Sequence, residues 1–314
     1  MMKRRTLLTA IGAGTLASTL PARAQAATKI VFGYTAVTDF ASVFVALEEG
    51  AFRKRNLDVE PKFIPLNSTI PAALQSDSLH IGGPTPSVFL QAVDGGLDLV
   101  LVAGGGLTSK TITGFGLVAR AGSGIRNAQD CVGKKIGVPG LGAFLHVTFR
   151  AWLQDNGVDY RKVNFVEASF PQHADLLRGG SVDAVVSADP FMSRITDSGA
   201  GYTASYYSTF LPENNQTIVH AAKRAWVDKN PVAARSFREA LVDAATFMHN
   251  PKNDAKVRSA IGKYIKLPPE LLAKVQISPP GPIVTDKQVA YWVGLMKEQD
   301  MLRTPIDVAR LVAK

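Results

Sequence analysis

Gly140-Leu-Gly142-Ala-Phe-Leu-His146 is the stretch whose residue types and spacing come closest to a chemical site. It follows a short apolar run, Ile136 to Val138, and leads into apolar positions Phe144, Leu145, Phe149, Trp152 and Leu153, which fall mostly on one face of a helix. A strand feeding a helix through glycines aims unpaired backbone N–H groups, and the positive end of the helix dipole, at one spot. Such a spot suits an anion or a polar acceptor. The same residues match the first part of the dinucleotide fingerprint G-x-G-x-x-G/A, with Glu167 ending a later strand. However, Leu145 occupies the third glycine position, where its side chain would block close helix–strand packing. Glu167 also lies 27 positions after Gly140, against about 20 expected. The nucleotide reading is set aside, and half of a ligand site is expected here instead.

Catalytic and metal chemistry find little support elsewhere. Cys131 is the only cysteine, which excludes an intramolecular disulfide or a cysteine-built metal site within this sequence; a buried bystander is expected. His80, His173, His220 and His249 show no i, i+4 spacing and no carboxylate pairing, so no metal site is expected. His80 is expected at an exposed strand start. His146, one turn into its helix, either approaches an anion or sits in solvent, and the solvated position is expected. Asp189, before Pro190, is either an amine-binding acid or a turn acid. No G-x-S-x-G elbow and no cysteine–histidine signature occurs. Neither an enzyme nor a cofactor is expected.

The N-terminus points to a compartment. Lys3, Arg4 and Arg5 precede an apolar run from Leu7 to Leu20 and then Pro21-Ala-Arg-Ala24-Gln-Ala26, with no acidic residue before Asp39. That pattern predicts a secretory signal peptide over residues 1–26, cleaved near Ala24 or Ala26, and a periplasmic location. Arg4-Arg5-Thr-Leu-Leu loosely resembles a twin-arginine signal, so both export routes stay open. The net charge of +9 falls to about +5 without the four basic residues of that segment. The remaining excess is spread out apart from Arg53-Lys-Arg55, which argues against nucleic-acid binding.

Stepwise alternation of strands and helices organises the remainder. Strands are expected at 29–34, 57–64, 80–84 and 99–103, with helices between them, which indicates an α/β layer architecture built on parallel sheets. The pattern restarts with strands at 135–138, 163–167 and 182–187, and a return strand at 217–221. Charged helices follow at 235–248, 252–264 and 287–299. The expected organisation is a first lobe over 28–116 and 219–314, with a second lobe, 117–218, inserted within it. Two crossing segments, near 114–119 and 215–221, would form a hinge.

Several segments carry a resemblance. Phe44-Val-Ala-Leu-Glu-Glu-Gly-Ala-Phe-Arg-Lys-Arg-Asn-Leu-Asp-Val-Glu60, Ile81-Gly-Gly-Pro-Thr-Pro86, Gly133-Lys-Lys-Ile-Gly-Val138, Gly180-Ser-Val-Asp-Ala184 and Asp189-Pro190 are similar to the nitrate/sulfonate/taurine-type solute-binding proteins of ABC importers. So is the tail from Thr285 through Trp292, Met296 and Leu302 to Val308. The resemblance implies a class II periplasmic-binding fold, two doubly wound lobes around a ligand cleft, and delivery of a small solute to a permease driven by an ATPase. A monomer is expected, not inserted in a membrane. Where the family often has Gly-Ser-Ser-x-His, this chain has Gly140-Leu-Gly-Ala-Phe-Leu-His146, without the hydroxyls, which weakens the carry-over of a sulfonate or nitrate.

In open α/β sheets, ligands sit beyond the carboxyl ends of the strands. That rule selects Tyr34, Thr35, Thr38, Asp39, Asn67, Ser68, Pro84 and Thr85 in the first lobe. In the second it selects Gly142, Ala143, Phe144, Phe170, Gln172 and Asp189. Tyr34 and Phe144 either sandwich a flat group or belong to the core; Thr85 caps a helix, binds solute, or does both. The expected solute is a small organic compound, sulfonate- or taurine-like, with a thiamine-pyrimidine precursor or an aromatic carboxylate as alternatives. An enzyme of the thiamine-pyrimidine synthase type shares the fold, but its cysteine-rich segment is absent. A ligand-sensing regulator domain is opposed by the leader and by the lack of a helix-turn-helix.

Overall fold

The computed structural model describes residues 26–313. The signal-peptide expectation therefore lies, except for Ala26, outside the described residues. Ten strands form two five-stranded sheets. The first contains β1 (Thr28–Tyr34), β2 (Leu57–Phe63), β3 (Ile81–Gly82) and β4 (Leu99–Gly104). The second contains β5 (Phe115–Arg120), β6 (Lys135–Val138), β7 (Asn164–Glu167), β8 (Ala184–Ala188) and β9 (Gly201–Ser205). The chain then returns to the first sheet as β10 (Val219–Lys223).

The helices are α1 (Ala41–Glu48), α2 (Ile70–Gln75), α3 (Pro86–Asp94), α4 (Phe144–Asp155), α5 (His173–Arg178) and α6 (Phe191–Asp197). After β10 come α7 (Arg224–Lys229), α8 (Pro231–His249), α9 (Asp254–Ile265), α10 (Pro269–Lys274) and α11 (Asp286–Lys297). No helix among the described residues is long and apolar enough to cross a membrane.

Strand order is β2-β1-β3-β10-β4 in one sheet and β7-β6-β8-β5-β9 in the other. The expected parallel core is present: β1 pairs in parallel with β2 and β3, and β6 with β7 and β8. Each sheet also takes one strand that arrives from the opposite lobe and therefore runs against its neighbours. β10 is antiparallel to β3 and β4, and β5 to β8 and β9. The sheets are thus mixed, a departure from the purely parallel expectation.

All six residues of β4 are buried although β4 ends its sheet. Its edge is covered by the C-terminal residues, with Leu101 N–H donating to the Leu311 carbonyl at 2.7 Å and Ala313 N–H to the Leu101 carbonyl at 2.8 Å. Covering an edge in this way removes a template for unwanted strand pairing. In α8, Ala233, Ala234, Phe237, Ala240, Leu241, Ala244 and Ala245 are buried at the spacing of one helical face. That face packs on α1 and on β4. Phe237 meets Phe32 of β1 and Phe52, with ring centroids 5.6 and 5.1 Å apart.

The two connections between the sheets run side by side. Leu107 pairs with Gln216 in an antiparallel bridge; Gly105 N–H reaches the Ile218 carbonyl at 3.0 Å, and Thr108 N–H the Asn215 carbonyl at 2.8 Å. A third segment braces this ribbon, with Gly281 N–H donating to the Gly105 carbonyl at 2.7 Å and Leu107 N–H to the Pro279 carbonyl at 2.8 Å. Trp292 of α11, fully buried, donates its indole N–H to the Gln216 carbonyl at 3.0 Å.

Candidate solute-binding site

A cavity lies where both sheets and the connecting ribbon meet, with about 530 Å³ free of protein atoms, part of it open to solvent. Thr35, Val37, Asp39, Pro65, Asn67 and Thr85 line it from the first lobe. Phe115, Pro139, Ala143, Phe144, Leu145, Phe170 and Ala188 line it from the second, and Thr217 and Ile218 from the ribbon. Its walls are mostly apolar, and three of them are phenylalanine rings.

Seven of the residues selected from the sequence meet at this cavity: Thr35, Asp39, Asn67, Thr85, Ala143, Phe144 and Phe170. The other seven do not line it. Tyr34 is a core residue, its ring edge-on to Phe44 at 5.2 Å and its hydroxyl donating to the Tyr264 carbonyl at 3.3 Å. Phe144 lines the cavity, whereas Tyr34 does not. Thr38 is buried in the short turn before α1. Ser68 donates to Glu167 Oε1 at 3.0 Å, across the cleft. The Pro84 carbonyl accepts from Val219 N–H at 3.0 Å and ties β3 to β10. Gly142 has φ +78° and lies so close to Gln91 that a Cβ would collide with it. Gln172 is exposed and accepts from Ser169 N–H and Oγ at 3.0 and 2.8 Å, closing a capping box. Asp189 Oδ1 accepts from Ser193 Oγ and N–H at 2.7 and 3.1 Å, and so holds the start of α6.

The glycine-rich turn is not the vacant anion cradle that its sequence suggested. Leu141 N–H donates to Glu167 Oε1 at 2.9 Å, Gly142 N–H to His146 Nδ1 at 2.8 Å, Ala143 N–H to the Gly140 carbonyl at 3.1 Å, and Phe144 N–H to Thr85 Oγ1 at 3.2 Å. The protein supplies its own acceptors. His146 is accordingly buried, not solvated, and burial followed by the nearby Arg150 charge pulls its imidazole down to about 3. His80 is likewise no bare strand start: its Nδ1 accepts from Val31 N–H at 2.9 Å. Cys131 is buried as expected, with burial pushing its thiol up to about 12.

Thr85 joins the lobes. Its side-chain oxygen accepts from Val88 N–H at 3.4 Å, capping α3, and from Phe144 N–H at the start of α4. Asn67 is held in place from both ends, donating to the Gly83 carbonyl at 3.0 Å and accepting from Thr85 N–H at 2.8 Å. Asp39 is the one ionisable side chain among the described lining residues. Thr217 Oγ1 donates to its Oδ1, as does Ser278 Oγ at 3.1 Å. Burial raises its carboxyl above the ordinary range, partly offset by those hydrogen bonds.

Eight lining residues escaped sequence reasoning: Val37, Pro65, Phe115, Pro139, Leu145, Ala188, Thr217 and Ile218. Phe115, Thr217 and Ile218 share one cause. β5 and β10 run against their neighbours, so their amino ends open on the cleft, and a rule keyed to carboxyl ends passes over them.

The family model described as NMT1/THI5 like matches residues 37–255. The nitrate/nitrite binding protein NrtA of Synechococcus elongatus is 26% identical over 254 residues, covering 71% of this chain and 56% of that protein. The chain thus spans little more than half of that relative. A putative thiamine biosynthesis protein of Haemophilus influenzae is 27% identical over 245 residues, 76% of this chain and 74% of its own. The solved alkanesulfonate-binding protein SsuA of Xanthomonas axonopodis pv. citri, bound to MOPS, superposes with a TM-score of 0.77 at 19% identity, over 92% of this chain and 99% of that one. The two mixed sheets, the paired connections and the cavity between them are therefore the periplasmic-binding-protein fold, and the chain belongs to the NMT1/THI5-like family.

Proposed function

We propose that this protein is the solute-binding component of an ABC-type importer, capturing a small organic solute in the periplasm by hinge closure and presenting the closed form to a permease driven by an ATPase. One observation carries the reading: a cavity whose walls come from both lobes and from the ribbon joining them. A solute in such a cavity touches both halves only when they are closed, so its binding shifts the population toward the closed form. Contacts across the cleft, Ser68 to Glu167 and Phe144 N–H to Thr85, fit that form. The similarity to a nitrate/nitrite binding protein supports binding over turnover.

The cavity supports an organic solute with an apolar body over nitrate, which would need several charged or hydroxyl partners around a small anion. Sulfonate- or taurine-like compounds, pyrimidine precursors and aromatic acids all carry such a body and differ in their polar groups.

Native mass spectrometry of the mature protein, purified without refolding, tests the reading. A discrete adduct lost on denaturation is expected. Adding that solute back to emptied protein should reduce the radius of gyration in small-angle scattering. Equal radii with and without saturating solute would count against hinge closure.

A further inference from the structure

We infer that Asp39 selects the solute: the ligand presents a protonated or amino nitrogen to the Asp39 carboxylate while its apolar body lies against Phe115, Phe144 and Phe170. The inference rests on the receptor reading above and gives it a chemical class, an amine- or amidine-bearing compound with a flat or compact apolar body.

The geometry behind it is specific. Both side-chain hydrogen bonds to Asp39, from Thr217 and Ser278, end on Oδ1. Among the described residues no other side chain donates to Oδ2, and Asp39 lines the cavity. Its own backbone N–H adds a third bond, and a carboxylate, which can accept about four, is thus held with acceptor capacity left over. It is also built in deliberately. A Cβ on Gly106 would come within 2.7 Å of Asp39 Oδ1 and 2.9 Å of Thr217 Oγ1, so the backbone there approaches as only glycine allows.

The lining holds no lysine, arginine or histidine to neutralise an anion, and a buried carboxylate repels one. The starts of α3 and α4 bring partial positive charge near Thr85, but the Val88 and Phe144 N–H groups there are already bonded to Thr85 Oγ1. Aromatic faces add attraction for a cation and none for an anion. The rings are arranged for contact, Phe115 edge-on to Phe144 with centroids 5.2 Å apart and Phe170 stacked on Phe191 at 5.4 Å.

Titration calorimetry of the mature protein with benzamidine and with benzoate, matched in shape and opposite in charge, tests the assignment. Benzamidine should bind about tenfold or more tightly than benzoate, and Asp39→Asn should bring the two within about twofold. Asp39→Glu, which keeps the charge, should restore most of the preference and guards against a folding defect in the first variant. Equal binding, tighter binding of benzoate, binding of neither, or a preference untouched in Asp39→Asn would overturn it. The two readings fail separately. A copurified solute that proves to be a simple anion, and still compacts the protein, would leave the receptor standing and sink the role of Asp39.

Discussion

Asp39 and Asp189 are two acids beside one cleft, both raised above the usual carboxylate range by burial. What separates them is their place relative to the cavity. Asp189 spends its Oδ1 on Ser193 N–H and Oγ at the beginning of α6, within the second lobe. Asp39 lines the cavity, and Asp189 does not. Asp189→Ala should therefore cost about 1–2 kcal/mol in urea unfolding, the usual loss for a helix-start acceptor. Solute affinity should stay within about twofold in the same variant. A large loss of affinity with unchanged stability would place Asp189 in the site after all. From sequence the two acids looked alike, because each stands just before a helix, where an acid fits a ligand contact and a cap equally well. Only their place relative to the cavity distinguishes them, and no residue spacing encodes it.

At the scale of elements, the strand–turn–helix from β6 into α4 was legible and its purpose was not. The apolar spacing of Phe144, Leu145, Phe149, Trp152 and Leu153 located the helix, and Gly142 marked the turn through its positive φ. Two of the four N–H groups of that turn looked vacant because their partners, Glu167 and Thr85, are distant in sequence. Glu167 in particular bonds both Leu141 of its own lobe and Ser68 of the other. Glu167→Ala should weaken closure by the worth of about one exposed hydrogen bond and raise the solute Kd by up to about tenfold. Scattering of the unliganded variant should show a larger radius than the parent. Unchanged affinity and radius would mean that the Ser68–Glu167 contact adds nothing to closure. The short β9 and α6 went unread for a plainer reason. Each is only a few residues long, with too few apolar positions to declare a period.

For the whole molecule, the two-lobed plan was readable because the strand–helix alternation stops and restarts, and because the return strand carries its own apolar run. The mixed sheet direction was not, since nothing in a strand's own residues records which way its neighbours run. Stability should carry a signature of the buried histidines. Burial lowers His146 and His220 to about 3 and His173 to about 4, all below the ordinary 6.5. A histidine kept neutral in the folded state favours folding above pH 6.5. As pH falls below that value, the unfolded chain takes up protons that the folded chain refuses. Each such group then removes up to about 1.4 kcal/mol per pH unit. Urea unfolding between about pH 7 and pH 4.5 should show a steep decline. His220→Phe, replacing a ring buried among Phe32, Phe40 and Phe237, should make that decline shallower. A flat profile in the parent protein would refute the argument.

The pairing of β5 with β9 has a consequence for how such proteins diversify. Leu117 lies opposite Ser205, so the chain reaches the second sheet and leaves it on adjacent strands, about 4.8 Å apart. Residues 115–205 are one excursion closed at its base, and a relative's version needs only two neighbouring splices to replace it. Such a swap would carry over the aromatic wall of Phe115, Phe144 and Phe170 and leave Asp39, Thr217 and Ser278 untouched. Under the assignment proposed for Asp39, body and charge of the solute would be recognised on separately exchangeable blocks, and recombination at one doorway would recombine taste.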